Sequence, residues 1–212
     1  MADQGRLISF EGIDGAGKST QAQRLYRYLR DWEIHCALFR EPGGTQFGEA
    51  VRELLLKGNN KDGDAIEFGE MAEALLFFSA RAELMRQTIE PLLARGCIVL
   101  LDRFIDSTIA YQGYGRRMDI AALATLNSLV THGRKPDLTF LVDLAPNKAL
   151  ARLNRSHDRI EAEGLGFLER VREGYLTLAE AEPERILVLD GEPSEEIIFE
   201  QLRMKIDKFL AS

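Results

Sequence analysis

The sequence reads Gly12-Ile13-Asp14-Gly15-Ala16-Gly17-Lys18-Ser19 between the apolar segment Leu7-Ile8-Ser9-Phe10 and an amphipathic pattern at Gln21, Leu25, Tyr28 and Leu29. The apolar segment is typical of a buried strand, and the spacing that follows is typical of an α-helix. A Gly-x-x-x-x-Gly-Lys-Ser motif at a strand-to-helix junction predicts a phosphate-binding loop.

Such a loop binds an anion through backbone N–H groups and the N-terminus of the following helix. Lys18 adds a positive charge, and the Ser19 hydroxyl is a ligand for Mg2+. We therefore expect the phosphates of a nucleoside triphosphate to contact Gly12, Ile13, Asp14, Gly15, Ala16, Gly17, Lys18, Ser19 and Thr20. The motif does not say which group receives the phosphate.

The composition predicts one globular domain over residues 1–212. Of the 212 residues, 45% are hydrophobic and 29% charged, and the net charge is -7. An acidic chain is not expected to bind nucleic acid or an anionic membrane surface. Cys36 and Cys97 lie in or beside apolar segments, and the N-terminus has no targeting pattern, so we expect a cytoplasmic protein with reduced thiols.

Five short apolar segments alternate with helical patterns. They cover residues 6–11, 36–40, 97–102, 138–143 and 185–190. Strands that alternate with helices predict an α/β fold with a five-stranded parallel sheet covered by helices on both faces. Ligands of such a sheet bind beyond the carboxyl ends of its strands.

Two loops at that edge carry candidate site residues. Asp102 and Arg103 end the third strand, where the acid either holds Mg2+ together with Ser19 or caps the next helix. The segment Arg40-Glu41-Pro42-Gly43-Gly44-Thr45 follows the second strand, and it is either a plain turn or a functional loop.

A helix predicted over residues 69–93 places Phe77 and Arg81 one turn apart on one face. An aromatic ring beside a guanidinium is able to stack on a planar base and donate a hydrogen bond to its edge. The alternative is a core Phe next to an Arg that extends to solvent.

Three arginines, Arg152, Arg155 and Arg159, precede a segment with two glycines, Gly164 and Gly166. If the segment is helical, the three guanidinium groups lie along one stripe. They belong either to a lid over residues 150–166 that closes on the phosphates or to a solvated surface paired with nearby acids.

Together these motifs resemble a known family. The residues that carry the resemblance are Phe10-Glu11-Gly12-Ile13-Asp14-Gly15-Ala16-Gly17-Lys18-Ser19-Thr20, Arg40-Glu41-Pro42-Gly43-Gly44-Thr45, Leu101-Asp102-Arg103-Phe104, Ala110-Tyr111-Gln112-Gly113 and Pro136-Asp137-Leu138-Thr139. In this order they are similar to the bacterial thymidylate kinases, which are nucleoside monophosphate kinases. The resemblance covers nearly the whole chain.

The resemblance implies a P-loop NTPase fold with a small lid and a homodimer. It also implies Mg2+-dependent transfer of the ATP γ-phosphoryl group to dTMP, which gives dTDP and ADP for dTTP synthesis. By position, Phe77 resembles the ring that stacks on thymine and Arg81 the donor to its carbonyl. Thr108 and Gln112 resemble further base contacts, and Tyr111 resembles the ring beside the deoxyribose.

At the phosphate end, Arg52 and Arg103 resemble the clamp on the monophosphate, and Asp14 and Glu41 are expected to orient metal-bound water or the acceptor. The expected catalytic set consists of Lys18, Arg103, Asp14 and the lid arginines Arg152, Arg155 and Arg159. One branch of the family has an Arg where this chain has Gly15, so here the extra positive charge is expected from the lid.

Two other functions use the same loop. A deoxynucleoside kinase phosphorylates a 5′-hydroxyl, which needs a base beside that hydroxyl and fewer arginines than this chain places there. A nucleotide-binding regulatory module of the GTPase type is the other alternative, but the sequence has no Asn-Lys-x-Asp stretch for reading guanine.

Overall fold

The computed structural model of the protein describes residues 5–57, 66–153 and 163–211. In these ranges five strands form one parallel sheet, as the sequence predicted, and their order is β2-β3-β1-β4-β5. The strands are β1 (Leu7–Glu11), β2 (Cys36–Arg40), β3 (Ile98–Asp102), β4 (Leu138–Asp143) and β5 (Ile186–Asp190). Each lies within one residue of its predicted bounds, because short apolar runs between helical patterns mark buried parallel strands clearly.

Nine α-helices surround the sheet in the described ranges. They are α1 (Lys18–Asp31), α2 (Gln46–Lys57), α3 (Glu70–Leu84), α4 (Glu90–Leu93), α5 (Ile105–Thr108), α6 (Ile120–Val130), α7 (Pro146–Arg152), α8 (Leu165–Ala181) and α9 (Glu195–Leu210). Among these residues, no helix combines the length and apolar character that a membrane span requires.

The central strand β1 is buried along its whole length. Ile8 and Phe10 pack against Leu25 of α1 and Leu202 of α9 on one face of the sheet. Leu7 packs on the other face in a cluster with Leu84 at the end of α3. Because all strands run the same way, the carboxyl ends of β1, β2 and β3 meet at one edge.

The loop between β1 and α1 fits closely against its neighbours at that edge. Gly12 has φ 137°, and a Cβ there would lie 2.5 Å from the carbonyl oxygen of Val142. Gly15 has φ 84°, and a Cβ there would lie 2.2 Å from the carbonyl oxygen of Ala149. Only glycine accepts this combination of backbone angle and close approach.

The helix predicted over residues 69–93 is present, with one irregular turn. A π-helical turn, Met85–Ile89, joins α3 to α4, and the backbone is right-handed helical at both junctions. Pro91 lies in the first turn of α4, where its missing N–H and its ring disturb the preceding turn of an α-helix. The wider π turn accommodates this disturbance.

A second irregular helix was not predicted. After β3 the chain forms α5 and then a π-helical stretch, Ile109–Gly115. The sequence pattern did not predict this helix, because many of its polar residues face the site and not solvent. The helix carries Ser107, Thr108, Tyr111 and Gln112 to the carboxyl edge of the sheet.

Candidate functional site

All eight residues predicted to bind the acceptor line one pocket, which we call the acceptor pocket. The empty space in it, including the part open to solvent, is about 660 Å3. The predicted residues in its wall are Glu41, Arg52, Phe77, Arg81, Arg103, Thr108, Tyr111 and Gln112, and the others are Asp14, Pro42, Leu56 and Ser107. They come from the loops after β1, β2 and β3 and from α2, α3 and the helix after β3.

Arg81 is 2% exposed and lies at the centre of the pocket wall. Its Nε donates to Oε2 of Glu41 at 2.7 Å, and Nη2 lies 2.6 Å from the same oxygen. Nη1 donates to Thr108 Oγ1 at 2.9 Å and Asn127 Oδ1 at 2.5 Å, and Nη2 donates to the Phe104 carbonyl at 3.0 Å. These are five contacts for the five N–H groups of a guanidinium.

This network bears on both interpretations of Arg81. The side chain does not extend to solvent, so the alternative of a surface arginine is wrong. Its donors already have protein acceptors, however, so a hydrogen bond from Arg81 to a base carbonyl requires one N–H to be shared. The donor role of Arg81 therefore stays a prediction.

Glu41 is buried beside Arg81, and one of its two carboxylate oxygens accepts no hydrogen bond from the described ranges of the chain. Oε2 accepts from Arg81, whereas Oε1 is buried without a hydrogen-bond partner. Burial raises the pKa of Glu41, and the charge of Arg81 opposes this rise. A buried, unpartnered polar atom in the wall of a pocket is a contact point for a ligand.

At the phosphate-loop end of the pocket, Arg103 and Asp14 form an ion pair of 2.7 Å. Asp14 also contacts Lys18 Nζ at 3.0 Å and accepts from the Tyr111 hydroxyl at 3.1 Å. Burial by itself would raise the pKa of Asp14, but the charges of Arg103 and Lys18 outweigh it and hold the pKa below the usual value. Asp14 is therefore ionised at neutral pH.

The guanidinium of Arg103 is fixed from several sides. It donates to the hydroxyls of Tyr111, Ser107 and Tyr175 at 3.0, 3.2 and 3.1 Å, and it lies 4.8 Å from the centroid of the Tyr111 ring. The backbone of Arg103 has φ 74°, a left-handed angle that is rare outside glycine. Strain of this kind is concentrated at functional sites.

Arg52 adds a second guanidinium to this end of the pocket. Its Nη1 donates to the carbonyl of Pro42 at 3.1 Å. Burial and then the nearby charge of Arg40 lower the pKa of Arg52, and the charges of Glu49 and Asp102 oppose this shift. Two arginines converging on one pocket end favour an anionic group such as a phosphate.

Phe77, Thr108 and Gln112 line another part of the pocket. Phe77 is half-buried and packs against two hydrophobic clusters of the core. Thr108 accepts from Arg81, and Gln112 Nε2 donates to Glu73 at 3.4 Å. An aromatic face beside hydroxyl and amide groups is suited to a planar, polar ring such as a nucleobase.

A second pocket, the donor pocket, lies on the other side of the phosphate loop. Residues 14–20 line it, together with Arg152 and residues 192–196, and its empty volume is about 1420 Å3. Of the predicted contact residues, Gly12 and Ile13 do not line this pocket. Their carbonyls accept from Arg103 at 3.1 Å and from Lys18 at 3.4 Å.

A candidate metal position lies at the start of α1. The Ser19 hydroxyl donates to Oδ2 of Asp102, and Oδ1 of Asp102 is buried without a hydrogen-bond partner among the residues that the structure describes. A hydroxyl and a carboxylate are the hard oxygen ligands that Mg2+ prefers, usually in small number beside water and phosphate oxygens. The described residues contain no cluster of three His, Cys, Asp or Glu that would hold a metal alone.

Of the three lid arginines, only Arg152 lies in the described residues. Its guanidinium donates to the carbonyls of Gly191 at 2.8 Å and Glu192 at 3.2 Å, in the loop after β5. The predicted single helical stripe is not continuous, because α7 ends at Arg152 and Leu153 is extended, with φ -79° and ψ 105°. Arg155 and Arg159 lie outside the described residues.

The sequence interpretation missed three residues that contact Arg103 or its partners. Glu11 lies inside the first motif of the family resemblance, and Ser107 lies between the motifs that end at Phe104 and begin at Ala110. Tyr175 lies far along the chain on α8. An acid that ends a buried strand indicated a site residue at Asp102, and Glu11 ends a buried strand in the same way. No local pattern marks Tyr175, because its approach to Arg103 depends on how α8 packs.

Comparison with known proteins shows the family to which the chain belongs. The family model described as thymidylate kinase matches residues 10–202. A thymidylate kinase of Chlorobaculum parvum is 48% identical over 196 residues, which are 87% of this chain and 88% of that protein. A thymidylate kinase of Kosmotoga olearia is 48% identical over 198 residues, 92% of each chain.

A solved structure gives the same result for the fold. The crystal structure of thymidylate kinase from Ehrlichia chaffeensis matches with a TM-score of 0.76 and 34% sequence identity, over 95% of this chain and 98% of that one. With a family model that spans most of the sequence and relatives this similar over nearly their full length, the chain belongs to the thymidylate kinase family.

Proposed function

We propose that this protein transfers the γ-phosphoryl group of ATP to dTMP and forms dTDP and ADP for dTTP synthesis, with the two substrates bound in the pockets described above. Membership of the thymidylate kinase family supports the reaction. The observation that carries the assignment of the pockets is their junction: Asp14 lines both, so a nucleotide in each would bring its phosphates to the same point.

In this arrangement dTMP enters the acceptor pocket with its base between Phe77, Thr108 and Gln112 and its deoxyribose beside Tyr111. Arg52 and Arg103 hold its phosphate. A phosphate monoester has a second pKa of about 6, so the attacking oxygen is largely anionic at neutral pH. No strong general base is needed, and catalysis rests on alignment and on neutralising charge.

ATP enters the donor pocket with its phosphates on residues 14–20. Lys18 then exchanges its contact with Asp14 for a phosphate oxygen, and Asp14 keeps Arg103 oriented through their ion pair. Arg152 contacts the loop at residues 191–192, which places it at the wall of the donor pocket. Its predicted contact with the transferred group therefore requires it to leave these carbonyls.

Mg2+ fits the group formed by Ser19 and Asp102, since one oxygen of Asp102 accepts no hydrogen bond from the described part of the chain. When bound there, Mg2+ neutralises negative charge on the phosphate oxygens. We further propose a single domain whose lid over residues 150–166 brings Arg155 and Arg159 towards the phosphates, and a cytoplasmic homodimer that binds neither nucleic acid nor membrane.

The reaction is distinguished from the two alternatives by the acceptor. A coupled assay for ADP release, run with ATP and Mg2+, is to be repeated with dTMP, with thymidine and with no acceptor. We expect ADP release only with dTMP. Release with thymidine would indicate a deoxynucleoside kinase, and release without any acceptor would indicate a hydrolytic nucleotide switch.

A further inference from the structure

Glu11 ends the central strand β1 and is fully buried next to the phosphate loop. Its Oε1 accepts from the backbone N–H of Phe104 at 2.7 Å. Its Oε2 accepts from the Ser107 hydroxyl at 2.5 Å and from the Tyr175 hydroxyl at 3.0 Å. Both carboxylate oxygens therefore face donors, and neither faces the pocket directly.

The two hydroxyls lie between Glu11 and Arg103. Nη1 of Arg103 donates to Ser107 Oγ at 3.2 Å and to Tyr175 Oη at 3.1 Å, and the two hydroxyl oxygens are 2.8 Å apart. Each hydroxyl has one proton to donate and lone pairs to accept with. When the protons are directed towards Glu11, directly or through the neighbouring hydroxyl, lone pairs of both oxygens face Arg103.

The hydroxyl protons keep this direction only if both terminal atoms of side chain 11 are hydrogen-bond acceptors, as they are in the carboxylate of Glu11. A Gln in its place has one acceptor and one donor end. If its oxygen accepts from the Phe104 N–H, its amide donates towards Ser107 and Tyr175, and their protons turn to other acceptors. If the amide is reversed, a donor faces the buried Phe104 N–H, which costs the free energy of an unsatisfied group.

We infer that Glu11 is a positioning residue for phosphate recognition: through the hydroxyls of Ser107 and Tyr175 it holds Arg103 in the orientation that binds the phosphate of the acceptor. This inference rests on the proposed function of Arg103. Asp14 and Tyr111 orient Nη2 of the same guanidinium. Nη1 also donates to the carbonyl of Gly12 at 3.1 Å, so Glu11 and this carbonyl together orient Nη1.

The experiment compares two ligands that differ only in the phosphate. Calorimetry measures the affinities of dTMP and thymidine for the full-length protein and for Glu11→Gln at pH 8, where a carboxyl whose pKa burial raises to about 7 is mostly ionised. Hydrogen bonds to a charged group typically contribute enough to change affinity about 10- to 100-fold. We expect dTMP binding to weaken by about this factor and thymidine binding to change less than about 2-fold.

Two variants separate this inference from the proposed function and from a general loss of structure. Arg103→Met tests the clamp itself: an unchanged ratio of dTMP to thymidine affinity in this variant overturns the phosphate role of Arg103. Ser9→Ala removes another buried hydrogen bond on the same face of β1, between Ser9 and Thr139, and is expected to leave the ratio unchanged.

A normal ratio in Glu11→Gln together with an altered ratio in Arg103→Met overturns the positioning role and leaves the clamp intact. Equal weakening of dTMP and thymidine also overturns it, because it indicates a structural defect. If Glu11→Gln does not fold, the double variant Ser107→Ala/Tyr175→Phe removes the same link without altering the buried carboxyl. It is expected to lower dTMP affinity selectively, and a wild-type ratio in it contradicts the inference.

Discussion

Arg81 illustrates what the identity and spacing of side chains reveal and what they omit. The spacing predicted Phe77 and Arg81 one turn apart on one helix face and left open whether that face binds a ligand, and in the structure both residues line one pocket. It did not reveal Asn127, which accepts from Arg81 at 2.5 Å and lies 46 residues away on α6. A buried guanidinium with five N–H groups needs acceptors from several elements, and only the packing of α6 against α3 supplies this one.

Phe77 gives the most direct test of the base site. Phe77→Ala is expected to weaken dTMP binding by about 1–3 kcal/mol, the usual contribution of one base–aromatic stack, and to leave ATP affinity unchanged. Calorimetry with each nucleotide measures both effects. Phe77→Leu keeps an apolar side chain of similar length, so a dTMP affinity near that of the wild type in the Leu variant would argue against stacking.

Glu11 makes the stability of the fold depend on pH. Burial, and after it the charge of Asp106, raise the pKa of Glu11 from 4.5 to about 7. The folded protein therefore binds this proton more tightly than the unfolded chain, and the contribution of Glu11 to stability is full below pH 4.5 and decreases as pH rises to about 7.

Over that window the loss amounts to about 3 kcal/mol. Urea unfolding of the wild type and of Glu11→Gln at several pH values measures it, because the variant lacks the titrating group. We expect the free energy of unfolding of the wild type to fall, relative to the variant, from pH 4.5 to pH 7. Parallel pH profiles for the two proteins would refute the raised pKa.

Among the elements, the phosphate loop is defined by sequence, but its packing is not. The motif predicted its course between β1 and α1 correctly. The contact of Gly15 with Ala149 of α7 also gives a physical reason why this chain has no Arg at that position: a Cβ there would overlap the carbonyl oxygen of Ala149. Any larger side chain requires α7 to move.

Gly15→Ala and Gly17→Ala form a matched pair for this contact. Both positions have positive φ, which costs an L-residue about 1–2 kcal/mol. Within the described ranges, a Cβ at Gly17 meets nothing within 4 Å, whereas one at Gly15 meets backbone. Thermal unfolding without nucleotide should therefore show Gly15→Ala to be less stable than Gly17→Ala by about 1–3 kcal/mol, the usual cost of overpacking. Equal stabilities would mean that α7 moves to make room for the added Cβ at little cost in free energy.

The lid arginines allow a prediction that separates catalysis from donor binding. Arg155→Ala is expected to lower kcat by about 10²–10⁵. The lower end of this range is the effect of losing one hydrogen-bond donor, and the upper end is the effect of losing an arginine finger. Arg152→Ala is expected mainly to raise the KM for ATP, because Arg152 contacts the wall of the donor pocket. Steady-state kinetics with varied ATP test both, and a normal kcat for Arg155→Ala removes Arg155 from the catalytic set.

For the whole molecule, the proposed homodimer is testable through α3. Met71 and Leu75 lie one turn apart on this helix and are 49% and 48% exposed, which is unusual for large apolar side chains on one stripe. Leu75→Lys is expected to shift the protein towards monomer in sedimentation velocity. Met204→Lys on α9, where Met204 is 70% exposed, serves as the control and should leave the sedimentation coefficient unchanged.

The sequence was sufficient for the strands, the parallel sheet and the phosphate loop, because short-range periodicity and motif spacing encode these features locally. The residues of the acceptor pocket were expected from the resemblance to the thymidylate kinases and not from a local pattern. The partners of the site residues were decided by packing. Glu11, Ser107 and Tyr175 come from β1, the helix after β3 and α8, and they meet around Arg103 only because these elements converge at one edge of the sheet. Contacts between residues far apart in the chain depend on the placement of whole elements, which no local pattern records.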